Sequence, residues 1–356
     1  MNKRYFLTRL ILIPITLFGI MVLNFVITQA APGGPVEQVM SRLTAETQGK
    51  PGEIRIKENG SSAVYRGGTG LSEEIRQELI QQFGFDKPPL SRFIGMIKSY
   101  LQFDFGKSFY QDKTVIQLIL EKMPVSISLG VFSTLFIYLI SIPLGIKKAL
   151  LNKTPFDTTT TFILTVCYAV PAFVLALFLL IVFAGGQYLH WFPLKGLTSY
   201  NWETFSLGHK ITDYLWHMIL PTLAMGIGGL ASLTFLTKNS FLEEIHKTYV
   251  LAAKAKGLSL NSILYKHIFR NAMLIVIAGF PSLFISLFFT GSVLIEVMFS
   301  LDGLGLLGYE SILNRDYPVI FGTLYLFGLI GLILNLISDF VYTLIDPRIT
   351  FNQRKR

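Results

Sequence analysis

Residues Tyr249 to Met273 read YVLAAKAKGLSLNSILYKHIFRNAM, a polar and basic interruption between two long apolar runs. Each flanking run is long enough to cross a bilayer core of about 30 Å, which takes roughly 20 helical residues. Between them stand Lys254, Lys256, Lys266, His267 and Arg270, with Gly257 as the single glycine. Ala252, Ala253 and Ala255 are strong helix formers that permit close packing. Gly257 fits a left-handed helix stop, and Ser259 is placed to cap a second helix. In that second helix Leu260, Ile263, Leu264 and Ile268 fall on one stripe flanked by basic groups. An apolar knob with a positive rim suits docking into a groove on another protein. Basic residues also favour a loop that lies on anionic lipid. The residues alone leave both readings open, and neither is a catalytic pocket.

Outward from that loop, the chain reads as a membrane protein. Hydrophobic residues make up 51% of its 356 residues, and a mean hydropathy of +0.53 is high for a soluble chain of this length. Apolar runs of spanning length occur at about 6–30, 124–147, 159–186, 214–237, 272–299 and 319–345. Six spans put both termini on one side. With that side assigned to the cytoplasm, the inner segments hold 16 Lys and Arg against 4 Asp and Glu, and the outer loops 15 against 16. The excess positive charge is therefore internal, as the positive-inside rule expects. It marks contact with membrane lipid rather than with a nucleic acid.

Four segments follow from this layout. Residues 1–30 form a first transmembrane helix. Lys3, Arg4 and Arg9 before an apolar run ending in Ala30-Ala31 resemble a signal peptide, but the run is long and further spans follow, so it reads as retained. Residues 31–122 form an outer, periplasmic segment. It opens on APGGP (Ala31 to Pro35) and continues through the Gly-, Glu- and Lys-rich KPGEIRIKENGSSAVYRGGTG. Helical periodicity returns in LSEEIRQELIQQFGF, where Ser72 can cap and Ile75, Leu79, Ile80 and Phe83 share a stripe. A second amphipathic piece, SRFIGMIKSYLQFDF, follows Pro88-Pro89. These pieces read as short helices lying on the outer membrane surface or packed on each other. Residues 123–346 form the transmembrane core, with the loop at 238–271, and 347–356 a cytoplasmic tail.

Catalysis finds little support. The single Cys167 excludes an intrachain disulfide and any CxxC site. The five histidines show no metal-ligand spacing, and no Ser/His/Asp arrangement or GxSxG occurs. Gly303 to Gly308 spells a formal GxGxxG, but it follows a span rather than a strand, and reads as a glycine-rich turn. No GxxxxGK[ST] is present, so ATP has no phosphate loop to bind here. Glu296 and Asp339 lie near span ends, where a packing role outweighs a proton relay. An ion-coupled secondary transporter, working through either carboxylate, is the alternative reading. Pro171, Pro221 and Pro281 interrupt the third, fourth and fifth spans. Breaks inside a membrane are tolerated beside a water-filled cavity, so a translocation path is expected along these spans, near Pro171, Phe173, Pro221 and Pro281.

The loop resembles the EAA loop of binding-protein-dependent ABC importer permeases, in the form found in the dipeptide/oligopeptide group. Ala252 and Ala253 match the family alanines, Gly257 the family glycine, and Arg270-Asn271-Ala272 the tripeptide that follows. Leu251 stands where the family glutamate is common, and Ile275 where many members have proline. Phe85-Asp86-Lys87-Pro88, Asp302-Gly303-Leu304-Gly305, Asn314-Arg315-Asp316-Tyr317-Pro318 and Asp346-Pro347-Arg348 resemble landmarks of the same group in the same order. The long outer segment, with APGGP and Tyr65-Arg66-Gly67-Gly68, is similar to a subgroup linked to oligopeptides and to the peptide-nucleotide microcin C.

The resemblance implies an all-α, six-span type I ABC importer permease in a bacterial inner membrane. It implies a coupling site at Ala252, Ala253, Gly257, Leu258, Leu260, Lys266 and Arg270. It also implies a second homologous permease, an ATPase subunit that binds the ATP, a periplasmic peptide-binding protein and a peptide substrate. No cofactor or metal is expected on this chain itself.

Overall fold

Thirty-six consecutive residues, Val115–Leu150, form one helix (α3), and thirty-nine, Leu207–Ile245, form another (α6). At 1.5 Å per residue these rods run about 54 and 58 Å, well beyond a bilayer core of about 30 Å. The computed structural model describes residues 3–30, 53–58, 61–66, 87–185, 188–289 and 292–345. In order, the elements are α1 (Lys3–Ala30), β1 (Glu53–Glu58), β2 (Ser61–Arg66), α2 (Pro89–Leu101), α3, α4 (Pro155–Ala169), α5 (Ala172–Phe183) and α6. There follow α7 (Thr248–Ala255), α8 (Leu260–Ile263), a π-turn (Leu264–Ile268), α9 (Phe269–Ala278), α10 (Phe280–Phe289), α11 (Ser292–Phe299), α12 (Leu304–Asn314) and α13 (Tyr317–Ile345).

Among the described residues, five helical stretches are long and apolar enough to cross a membrane, and the pair α4 and α5 makes a sixth if counted as one bent span. The expected third span is therefore not a single rod. Its halves meet at 98°, because Val170 leaves the helix for an extended conformation before Pro171, as residues preceding proline do. Pro221, expected to interrupt the fourth span, lies inside the unbroken α6. Pro281 occupies the first turn of α10, where a missing N–H is tolerated.

One antiparallel hairpin departs from the helical pattern. β1 and β2 pair from Glu53↔Arg66 to Glu58↔Ser61, within a stretch read from sequence only as rich in Gly, Glu and Lys. The intervening Asn59-Gly60 is itself a strong hairpin signal. The amphipathic piece after Pro88-Pro89 is the helix α2. The stripe from Ser72 to Phe83, the APGGP stretch, Gly67-Gly68, Phe85-Asp86 and the tail from Asp346 lie outside the described residues.

The chain divides into two units. The first comprises Met1–Ile13, Ile119–Glu310 and Leu329–Arg356. Its core gathers Leu129, Ile137, Ala176, Met218, Ala224, Phe241, Ile263, Ala272 and Ile295 from α3, α5, α6, α8, α9 and α11. Glycines let α3 and α6 approach closely: a Cβ at Gly226 would lie 2.6 Å from the Phe136 ring, and one at Gly145 would lie 2.9 Å from the Thr234 carbonyl. At one end of these rods Asp157 joins three helices. Its carboxylate pairs with Lys238 at 2.7 Å and with the fully buried Lys148 at 3.0 Å. Thr160 and Thr161 accept from Lys148 at 2.7 and 2.8 Å. Buried charges persist only when paired and hydrogen-bonded in this way.

The second unit comprises Pro14–Leu118 and Ser311–Gly328. Tyr100, Phe105 and Tyr325 stack edge to face at 5.0 to 5.6 Å, Gly322 meets Val115 and Phe105, and Gly328 meets Ile20. Asp316, at the start of α13, accepts from the Ser108 hydroxyl and, at 3.2 Å, from the Phe109 N–H.

Candidate functional site

The loop between α6 and α9 folds as helix, glycine turn and helix. α7 stops in a Schellman motif: the Gly257 N–H donates to Lys254 at 2.9 Å and the Leu258 N–H to Ala253 at 3.3 Å. Gly257 has φ +77°, a conformation that L side chains rarely adopt. The chain then enters α8 through Ser259, whose hydroxyl accepts from the Ser262 N–H at 3.3 Å. From Leu260 the helix runs through the π-turn and α9 to Ile285 as one candidate span. Gly279 stays in the right-handed helical region between α9 and α10. The second half of the loop therefore runs directly into the membrane stretch, while the expected fifth span is divided among α9, α10 and α11, with a turn at Gly279.

Two sets of contacts fix this unit to α6. Tyr249 donates to Glu244 at 2.6 Å, and Asn271 donates to Tyr249 at 3.4 Å. Burial and the bond to Glu244 push the Tyr249 phenol above its ordinary pKa, keeping it a donor at neutral pH. Ser240 donates to the carbonyl of the fully buried Ala272 at 2.7 Å, and Phe241 packs on Phe269. In the Arg270-Asn271-Ala272 tripeptide, Asn271 and Ala272 thus lock the loop to the core while Arg270 faces outward. Glu243 and Lys247 pair at 2.9 Å, not along one helix but across the gap between α6 and α7. The pair is exposed, and such pairs contribute little.

The exposed apolar surface of the loop is not the stripe expected from sequence. Ile263, Leu264 and Ile268 are buried in the core with Val250 and Ala253. Leu260, by contrast, is 69% exposed, and it shares that exposure with Leu251 at 61%, Leu258 and Tyr265. The outward apolar surface is therefore Leu251, Leu258, Leu260 and Tyr265. Ala252, Lys254, Lys256, Gly257, Lys266 and Arg270 are also exposed around it. Neither Leu251 nor Tyr265 was expected from the sequence to belong to this surface. The π-turn was not legible either, and it rotates the register within a run that looks uniformly helical.

The carboxylates of the transporter alternative are both engaged. Glu296 is fully buried. It accepts from Ser126 at 2.7 Å and from the Leu306 N–H at 2.9 Å, while the Leu304 N–H donates to Ser126 at 2.8 Å. A Cβ at Gly303 would lie 2.5 Å from a Glu296 oxygen and one at Gly305 would lie 2.9 Å from it. The first two glycines of the formal GxGxxG therefore make room for a carboxylate at the start of α12, where a helix favours negative charge. Asp339 pairs with Arg9 at 3.2 Å. Of the expected path residues, Pro171 and Phe173 are exposed, Pro281 is half-buried and Pro221 is buried in the core. The four do not present one common surface.

Such a chain defines a class: a multi-span membrane protein with an exposed basic loop that leads directly into a candidate span. The family model for the inner membrane component of binding-protein-dependent transport systems matches residues 141–351. The inner membrane ABC transporter permease YejB of Escherichia coli O157:H7 is 53% identical, covering 98% of this chain and 99% of that protein. A peptidoglycan transport system permease YejB of Agrobacterium fabrum is 52% identical over the same shares. The oligopeptide transport system permease AppB of Bacillus subtilis is 33% identical over 95% and 96%. An inward-facing structure of the MetNI methionine ABC transporter shares the fold, with a TM-score of 0.51, 15% identity, and coverage of 65% of this chain and 97% of that one. The chain belongs to the binding-protein-dependent ABC importer permease family.

Proposed function

We propose that this chain is one of two homologous permease subunits of an oligopeptide importer, with both termini and the Gly257 loop on the cytoplasmic side. The observation that carries the reading is that the exposed loop leads without a gap into the apolar candidate span Leu260–Ile285. A push on the exposed apolar surface around Gly257 is passed through α8 and α9 into the membrane stretch. ATP binds a separate ATPase subunit, whose closure moves the loop. Leu251, Leu258, Leu260 and Tyr265 seat in that subunit, with Lys254, Lys256, Lys266 and Arg270 at the rim. The spans then open outward, a periplasmic binding protein releases peptide past the bend at Pro171 and Phe173, and hydrolysis restores the inward-facing state. The outer segment with the β1–β2 hairpin meets the binding protein.

Oligopeptides are favoured as substrates by the similarity to AppB and by the sequence resemblance to the peptide group. Microcin C-like peptide-nucleotides belong with them on that resemblance. Peptidoglycan fragments are a second reading, favoured by the similarity to the peptidoglycan transport system permease of Agrobacterium. Both readings are tested in proteoliposomes holding the full complex and binding protein. ATP-dependent accumulation of a labelled oligopeptide supports the first. Accumulation of a peptidoglycan fragment alone supports the second. Uptake that follows an ion gradient without ATP would overturn both.

A further inference from the structure

We propose that α2 is an interfacial helix. It lies in the lipid–water boundary of the leaflet met by the C-terminal end of α1, with Leu90, Ile94 and Leu101 among the acyl chains. The inference does not depend on the substrate proposed above; it needs only that α1 crosses the bilayer.

Three observations in the second unit converge on this placement. The first is the pattern of the helix. At about 100° per residue, Leu90, Ile94, Ile97 and Leu101 fall within an arc of about 60°. Phe93 and Tyr100 sit on the adjoining arc and face protein: Phe93 packs on Phe18 and Phe25, and Tyr100 on Phe105 and Tyr325. The apolar surface is thus wider than the protein covers. Leu90 remains 70% exposed and Leu101 65%, with Ile94 and the following Phe103 exposed beside them.

The second observation is depth. Phe93 meets Phe18 at 6.0 Å and Phe25 at 5.1 Å between ring centres. It therefore sits between those two residues along α1. The candidate span ends at Ile27, so at 1.5 Å per residue Phe93 lies about 8 Å inside that end. Interfacial helices bury their apolar face by about 5–10 Å. On the same stretch of α1, Val22, Leu23 and Val26 are exposed apolar residues as well.

The third is charge. From Lys87 to Phe103 there are three cations and no acid. Lys87 and Lys98 are exposed and line an open cleft with Leu90 and Ile94, whereas Arg92 has two of its side-chain nitrogens buried. Long basic side chains reach phosphate level while their stems stay in the apolar layer. The phospholipid headgroup region supplies that combination of acyl chain and phosphate. A binding protein docked on α2, or another segment of the same chain, would cover the stripe with protein instead.

The test is spin-label depth measurement on the assembled importer in vesicles of phosphatidylethanolamine and phosphatidylglycerol. Cys167→Ser removes the single native thiol, and labels are placed through Leu90→Cys, Ile94→Cys and Leu101→Cys. Ser91→Cys and Gly95→Cys, on the polar flank about 90° and 130° from the centre of the stripe, serve as references; no atom lies within 4 Å of a Cβ at Gly95. All five positions are on the surface, so the substitutions leave the packing of α2 on α1 intact. Collisions with oxygen are expected to exceed collisions with a water-soluble nickel chelate at 90, 94 and 101, with the ratio inverted at 91 and 95. Nickel dominating at all five positions would place the stripe in water. Low access of both reagents at 90, 94 and 101 would show a protein cover. Either result overturns the proposal.

Discussion

Gly257→Val separates the shape of the coupling turn from its bulk. No atom lies within 4 Å of a Cβ built on Gly257, so the added side chain meets open space. Its cost is conformational. At φ +77° an L residue carries about 1–2 kcal/mol of strain, and a β-branched one is a stronger outlier still. That penalty falls on the turn that holds α7 against Ser259. About 1–2 kcal/mol corresponds to about a 5–30-fold shift away from the docked turn. Gly257→Asn is the matched comparison, because asparagine enters the left-handed region with little strain. In proteoliposomes with the ATPase and binding protein, Gly257→Val should insert normally but lose most ATP-driven uptake, while Gly257→Asn should keep most of it. Equal loss in both variants would refute the argument from backbone shape. Normal uptake by Gly257→Val would refute the loop's role altogether.

The remaining expectations concern the packing that supports the loop and the spans. Gly303→Ala drives a methyl against the Glu296 carboxylate and should lower stability by about 1–3 kcal/mol, read as a fall in Tm in detergent. Adding Glu296→Ala should recover part of that fall, and a wild-type Tm for Gly303→Ala alone would show that the carboxylate is not so confined. Asp157→Ala leaves the buried Lys148 without its carboxylate and should cost about 3–5 kcal/mol. Lys238→Ala, whose ammonium is nearer solvent, should cost less by the same unfolding measurement; the reverse order would contradict the assigned burial.

The long helices were legible in the sequence because spanning demands an unbroken apolar window, and a window of about 20 residues is hard to counterfeit. The glycine turn was legible for a similar reason: Gly257 and Ser259 act locally, through their own backbone. What escaped was set by tertiary contact. Which of Leu260, Ile263 and Leu264 points inward depends on where α6 lies and on the π-turn, and periodicity carries neither. Glu296 and Gly303 form a clasp with Ser126, which is 170 residues from Glu296, and no local pattern joins them. The β1–β2 hairpin is a different case, since the Asn59-Gly60 pair between the strands is a local signal that the reading of this stretch by composition passed over. Pro221 shows the opposite error. Proline inside a span suggests a break, yet α6 continues through it, with Pro221 and the residue four positions earlier, His217, both buried.

The bend between α4 and α5 sets an energetic address. Pro171 has no N–H to offer the last carbonyls of α4, and as the residue before α5 it has no side-chain oxygen for the N–H groups of Ala172 and Phe173. In water such groups are satisfied at once; in hydrocarbon each costs several kcal/mol. Pro171, Ala172 and Phe173 are all exposed on the isolated chain. Lipid is therefore a poor neighbour for this corner. Either a second protein surface or a column of water has to meet it, and a chain that keeps such a corner in a membrane is incomplete there by itself.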